Sequence, residues 1–155
     1  MPTEIEHKYL VHPERWQHII PERSEEVKQA YLHSEPGKTI RVRTMGGKGF
    51  ITIKGKTVNA SRPEFEYEIP LEDANELIWN FTTNLIEKIR HFVMHENMLW
   101  EVDEFKGLNA GLWIAEIELS HENETYALPD WVKENVTGEK KYSNSKLAEK
   151  PFSKW

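Results

Sequence analysis

The segment "EIEHKYLV" runs from Glu4 to Val11, and its reading decides the fold. Residues two apart on a strand share a face, so Glu4, Glu6 and Lys8 point one way while Ile5 and Tyr9 point the other. Taken alone, this is an ordinary antiparallel strand with one wet face and one buried face. The same sorting recurs along the chain, with period-two alternation over Thr3–Val11, Val27–Ser34, Thr39–Met45, Gly49–Lys56, Pro63–Pro70, Ile86–His95, Leu99–Phe105 and Trp113–Ser120. Pro36-Gly37, Gly46-Gly47 and the neighbourhood of Asn97 supply the short turns that join antiparallel strands into a meander.

The charged face is segregated by strand. Arg41 with Arg43, Lys54, and Lys88 with Arg90 are purely basic; Glu64, Glu66 and Glu68, then Glu101 with Asp103, then Glu116 with Glu118, are purely acidic. Like charges on one face repel, so the pattern demands opposite charge from a neighbouring strand or a ligand. The other face is apolar, with Ile40 and Val42, Ile51 and Ile53, Phe65 and Tyr67, Trp100 and Val102, and Ile117 and Leu119. Eight strands suffice to close a barrel that holds side chains or a small ligand. With the apolar face turned outward against helices, the charges line a tunnel. Its basic residues suit a polyanion held by Arg forks and Lys point charges, and its carboxylates suit a hard divalent cation, Mg²⁺ or Mn²⁺.

Helical signals are fewer. Leu71–Leu85 opens on Glu72 and Asp73 and carries Ala74, Leu77, Ile78, Phe81 and Leu85 on one stripe, so it is expected to cover one face of the sheet. Shorter helices are predicted at Glu14–Ile20, Pro129–Asn135 and, after a Ser cap, Ser143–Glu149. The fold class expected is α+β: one domain over residues 1–155, an eight-stranded antiparallel closed β-barrel with peripheral helices.

Composition narrows the function. With 155 residues, 30% of them charged and 38% apolar, a single domain with a modest core is expected. Twenty basic against twenty-six acidic residues, net −6, give no sign of nucleic-acid binding. There is no cysteine, which excludes disulfides, thiolate metal sites and thiol nucleophiles. No signal-like or membrane-spanning segment is visible, so the cytoplasm is the expected location and no membrane partner is expected.

These residues, in this order, resemble the CYTH domain, or triphosphate tunnel metalloenzyme, superfamily over nearly the whole length. "EIEHK" is similar to the family's ExExK signature, followed by "QAYL" around Tyr31, "RVR" at Arg41 and Arg43, "TIK" ending at Lys54, "EFEYEI" from Glu64, "EKIR" with Lys88 and Arg90, "WEVDEF", "AEIEL" and "KKYSNSKLA". The resemblance implies an eight-stranded tunnel that binds a triphosphate with a divalent metal, closest to small bacterial inorganic triphosphatases. Lys8, Arg41, Arg43, Lys54, Lys88, Arg90 and Lys141 would hold phosphates. Glu4, Glu6, Glu116 and Glu118 would be metal ligands, and Glu64, Glu66, Glu101 and Asp103 supporting tunnel carboxylates. Lys8 is the candidate general base, its pKa lowered by surrounding cations, with Tyr31 as hydrogen-bonding partner. The C-terminal helix, about 143–149, is expected near one tunnel end. A class IV adenylate cyclase, a thiamine triphosphatase and a non-catalytic polyphosphate- or nucleotide-binding module share the pattern.

Other features read blandly. His91 and His95 lie on a predicted strand, where a spacing of four does not make a metal pair. "GGKG" at Gly46–Gly49 lacks the Ser/Thr and helix of a phosphate loop and reads as a hairpin turn. Trp131 and Trp155 read as packing or interface residues, and a homodimer is the assembly considered.

Overall fold

A computed structural model describes all residues, Met1–Trp155. Nine strands form: β1 (Thr3–Val11), β2 (Arg23–Glu35), β3 (Lys38–Met45), β4 (Lys48–Gly55), β5 (Ser61–Ile69), β6 (Ile86–His95), β7 (Met98–Phe105), β8 (Trp113–Glu118) and β9 (Val132–Asn135). Three α-helices accompany them: α1 (Pro13–Trp16), α2 (Leu71–Phe81) and α3 (Asn144–Glu149). Around the barrel the order is β1-β5-β4-β3-β2-β6-β7-β8, and β8 returns to β1, with every pairing antiparallel. The eight-stranded antiparallel barrel expected from the alternation is therefore present.

The ninth strand corrects the helix expected at Pro129–Asn135. One edge of β1 is divided: Thr3–Ile5 pair with Ser61–Pro63 of β5, and farther along Tyr9 and Val11 pair with Asn135 and Val132. Strand β5 leaves that edge after three residues, and unpaired backbone groups there would be left without partners. Residues 132–135 take the vacated edge as β9. Two further helices are shorter than predicted. Helix α1 ends at Trp16, and α2 ends at Phe81, where Thr82 turns extended (φ −133°) and its hydroxyl donates back to the Ile78 carbonyl.

The hairpin turns behave as their residues require. Gly46 and Gly47 both have positive φ (59° and 76°) between β3 and β4, the geometry that glycine adopts without a steric penalty. "GGKG" is thus a hairpin turn.

Two apolar clusters hold the barrel. The larger lies on the outer face, where Tyr9, Trp100, Val102, Ala115 and Ile117 are covered by Trp16 and Trp131. Trp131 is only 2% exposed and meets Trp16 edge-on at 5.1 Å, so it is a packing residue. The second cluster involves interior positions. Following the pleat inward, Lys88 gives way to Ile86, Asp103 to Phe105, and Glu116 to Ile114, and these three pack with Leu112, Val136, Tyr142 and Leu147 of α3. The interior is charged over most of its length and apolar at the end where α3 packs. No helix is long and apolar enough to cross a membrane.

Helix α2 docks across β2, β3 and β4. Its seat depends on Gly49: a Cβ there would lie 2.6 Å from the Ala74 Cβ and 3.1 Å from the Ile69 carbonyl oxygen. Gly49→Ala should therefore overpack this contact and destabilise the fold by about 1–3 kcal/mol, lowering the melting temperature by roughly 2–4 °C for each kcal/mol. A thermal melt matching the unmutated protein would refute this account of how α2 is seated.

Candidate active site

The barrel encloses a cavity of about 240 Å³ lined by 19 residues, of which one is hydrophobic. The lining includes seven cations (Lys8, Arg41, Arg43, Lys54, Arg62, Lys88 and Arg90) and seven carboxylates (Glu4, Glu6, Glu64, Glu66, Glu101, Glu116 and Glu118). Strand periodicity explains the convergence, since each strand sends every second side chain inward and the register sets Glu6 against Glu118, Lys8 against Glu116 and Glu116 against Glu101. Every candidate site residue taken from the sequence lines this space except Asp103 and Lys141.

Asp103 lies behind the lining, fully buried. Its carboxylate accepts a two-pronged contact from Arg90 (Nε 2.8 Å, Nη2 2.9 Å) and a bond from Lys88 Nζ at 2.8 Å. Arg90 also donates to Glu101 at 2.9 Å. Burial, with the charge of Arg90 added, outweighs the pull of Asp103 and brings the Lys88 ammonium down to about 8. Asp103 itself is held below the usual carboxylate range: burial acts to raise it, and Arg90 and Lys88 prevail.

On the opposite wall, Glu66 bridges two guanidiniums, at 3.4 Å from Arg41 and 3.3 Å from Arg43, and accepts from the Thr52 hydroxyl at 2.8 Å. Burial and the charges of Arg41 and Arg90 bring Arg43 down to about 10. The Nε groups of Arg41, Arg43 and Arg62 are buried with no acceptor. Lys54 spans Glu4, at 3.1 Å to both oxygens, and Glu64 at 3.3 Å.

Lys8 sits among carboxylates, 3.9 Å from Glu6. Burial works to lower its pKa, but Glu116, Glu6 and Glu4 outweigh it and raise the ammonium above its ordinary value. This corrects the expectation that neighbouring cations would lower Lys8 toward general-base range: the nearest charges have the opposite sign. Tyr31 lines the same cavity, but the ion-pair partner of Lys8 Nζ is Glu6. Burial and the charges of Glu116 and Glu4 push the Glu6 carboxyl well above the usual range. Burial also acts to raise Glu116, yet Lys8, Arg90 and Lys88 hold it far below, with a hydrogen bond from Glu6. The same cluster of charges thus drives the two carboxyls in opposite directions.

No three acidic or imidazole side chains converge on a single point. The donor set nevertheless suits a hard cation: Glu4, Glu6, Glu116 and Glu118 offer only oxygen, and the upward push on Glu6 from Glu116 and Glu4 reflects carboxylates crowded in a buried space. Mg²⁺ in particular binds through one or two carboxylates plus substrate phosphates rather than through an all-protein cage.

Lys141 is exposed, with its ammonium over the rings of Trp155 (4.5 Å) and Tyr142 (5.1 Å). The expectation that it reaches the tunnel is therefore corrected: two aromatic faces capture it outside. His91 stacks on Trp113 at 6.0 Å and contacts Ser24 and Glu104, apart from the cavity. Sequence reasoning missed Arg62, Thr39 and the trio Ser143, Asn144 and Ser145, all of which line the cavity. Arg62 and Thr39 stand two residues before Glu64 and Arg41, so carrying the inward-facing period back by one step reaches both. The trio belongs to the start of α3, where strand periodicity gives no signal.

Comparison with known proteins agrees with this geometry. The sequence profile of the CYTH domain matches residues 2–150. An inorganic triphosphatase of Acetivibrio thermocellus is 40% identical over 153 residues, which cover 98% of this chain and 97% of that protein. An inorganic triphosphatase of Nitrosomonas europaea is 33% identical, covering 94% of this chain and 97% of that one. The crystal structure of the inorganic triphosphatase NE1496 superimposes with a TM-score of 0.65 at 29% identity, covering 96% of this chain and 95% of the other. The charged barrel, the ordered motifs and these similarities lead to one conclusion: the chain belongs to the CYTH domain family.

Proposed function

We propose that the protein hydrolyses inorganic tripolyphosphate to pyrophosphate and orthophosphate inside the barrel, with a divalent cation, Mg²⁺ or Mn²⁺. The observation that carries this reading is the balance of the cavity, seven cations against seven carboxylates with almost no apolar surface. An interior whose cations are matched in number by carboxylates has little spare positive charge for a bare polyanion. It accommodates a polyanion and a cation together, because the phosphates take over the Arg and Lys residues while the cation takes over the carboxylates. The similarity to two inorganic triphosphatases over nearly the full chain points the same way.

When bound, the cation would supply charge neutralisation and a lowered pKa for water. Glu4, Glu6, Glu116 and Glu118 would hold it. Lys8, Arg41, Arg43, Lys54, Lys88 and Arg90 bind phosphate oxygens, and the buried unpartnered Nε groups of Arg41 and Arg43 are donors ready for such an acceptor. Their role in the reaction is electrostatic: attack of water at phosphorus breaks the bridging P–O bond, and fixed cations stabilise the charge on the departing oxygen without reorganising. Lys8, kept as an ammonium by its three carboxylate neighbours, acts as a phosphate ligand rather than a base. The single hydrophobic lining residue offers little purchase for a nucleoside base, which favours the inorganic chain over a cyclase substrate.

The deciding assay incubates the protein with Mg²⁺ or Mn²⁺ and, in parallel, tripolyphosphate, ATP or thiamine triphosphate. Orthophosphate and pyrophosphate from tripolyphosphate are expected, whereas cyclic AMP would overturn the hydrolase reading and no product from any substrate would leave a binding module. Chelation of divalent ions should abolish turnover. Glu118→Gln, at the exposed rim, should leave the melting temperature unchanged and raise the half-saturating metal concentration about tenfold or more, in the range seen when a metal site loses a supporting group; an unaltered metal titration would remove Glu118 from the metal site. Arg41→Met should raise KM roughly 10- to 100-fold with a smaller change in kcat, the signature of a lost charge-assisted binding contact. A fall in kcat at constant KM would contradict that binding role.

A further inference from the structure

Lys88 is 2% exposed and lines the cavity, and its ammonium has three N–H donors. One goes to Asp103 Oδ2 at 2.8 Å and a second to Asn144 Oδ1 at 3.1 Å. The nitrogen is tetrahedral, so fixing two donors fixes the direction of the third. With Asp103 alone, the ammonium would be free to swing about a single contact.

Asn144 is itself held. Its Oδ1 also accepts from Gln29 Nε2 at 3.1 Å, which uses both lone pairs of that oxygen. Gln29 is fully buried on β2, and Lys88 lies on β6, so one amide oxygen ties two neighbouring strands to the first residue of α3. The helix is anchored on one side by Leu147, which is 1% exposed and packs with Ile86 and Phe105, and at its start by the Ser143 cap. The placement of Asn144 is thus set by tertiary packing rather than by a flexible tail.

From this arrangement we infer that Asn144 is a positioning residue for the phosphate-binding lysine: its side-chain oxygen aims the remaining N–H of Lys88 into the cavity and couples the docking of α3 to polyphosphate binding. The inference rests on the triphosphatase reading for its effect on turnover, but not for its effect on Lys88. The groups facing Lys88 are Asp103 and Phe105 from β7, Arg90 on its own strand, Glu116 from β8, Val27 and Gln29 from β2, and Asn144. Asp103 and Asn144 are the two that accept hydrogen bonds from it.

Two nearly isosteric variants separate the acceptor from its shape. Asn144→Asp keeps the oxygen, whereas Asn144→Leu removes it. Leu at this position should lower kcat/KM on tripolyphosphate at least tenfold, while Asp should stay within about threefold of the unmutated protein. Gln29→Met, which releases Asn144 from its other partner, should give a smaller loss that is less than additive with Asn144→Leu. Thermal melts accompany each variant; if the Leu variant does not fold, the Asp variant and Gln29→Met carry the comparison.

A second readout needs no turnover. In protein labelled with ¹³C at lysine Cε, the Lys88 titration midpoint, about 8 in the unmutated chain, should move down in Asn144→Leu and up in Asn144→Asp. Loss of an acceptor disfavours the ammonium, and a carboxylate beside it favours it. The inference is overturned if the Leu variant keeps kcat/KM within twofold, if the Asp variant loses as much as the Leu variant, or if the Lys88 midpoint is the same in all three. An unmutated protein inert toward tripolyphosphate, with the Lys88 shifts present, would sink the proposed reaction and leave the positioning role standing.

Discussion

Asp103 is the group on which the interior depends. It is completely buried, and it neutralises two cations at once through a bidentate contact with Arg90 and a bond to Lys88. Without it, two positive charges would lie side by side in a space shielded from water, where unpaired charge is strongly destabilising. With it, Arg90 is held by two bonds and Lys88 is tethered by one at the wall of the cavity. Some other pairs are looser: Glu66 meets Arg41 and Arg43 at 3.3–3.4 Å, and Glu116 stands 3.7 Å from Arg90, although Glu101 holds Arg90 at 2.9 Å.

A difference in burial organises the site. Asp103, with no exposure, is a permanent counter-ion, whereas Glu66, Glu101 and Glu64 line the cavity, where on the proposed function an incoming anion would take over their partners. The barrel keeps its charges folded by letting them neutralise each other, and the same residues become available when a ligand supplies the opposite charge. On the proposed function, binding is then an exchange of ion pairs. Lys88, brought down to about 8 by burial and by Arg90, shows how finely the interior is balanced: Asp103 and Asn144 together still leave it short of compensation.

Much of this is legible in the sequence, for a definite reason. The pleat imposes alternation with period two, so spacing alone puts Glu4, Glu6 and Lys8, Arg41 and Arg43, Lys88 and Arg90, and Glu116 and Glu118 on one face. The closed antiparallel barrel follows from eight such strands joined by tight turns. The departures lie where the pleat gives no rule. Residues 129–135 read as a short helix because local pattern cannot register a vacant edge on β1, which only the divided pairing of that strand creates. The charge of Lys141 is visible in the sequence, but the rings of Tyr142 and Trp155 that hold it outside the tunnel come together only in the folded chain. Asn144 is silent in the sequence because an uncharged residue at a helix start has no periodic signature.

By itself, then, the sequence determined which side chains face inward and what sign each strand contributes, since both follow from the alternation of neighbouring residues along an extended backbone. Tertiary structure decided how those charges pair, and therefore their protonation. Lys8 is a raised ammonium among carboxylates rather than a lowered base among cations, because β1 lies beside β8 and brings Glu116 against it. The sign and distance of the nearest charge across the barrel set the chemistry of each group, and that neighbour is chosen by strand order and register, which adjacent residues in the chain do not encode.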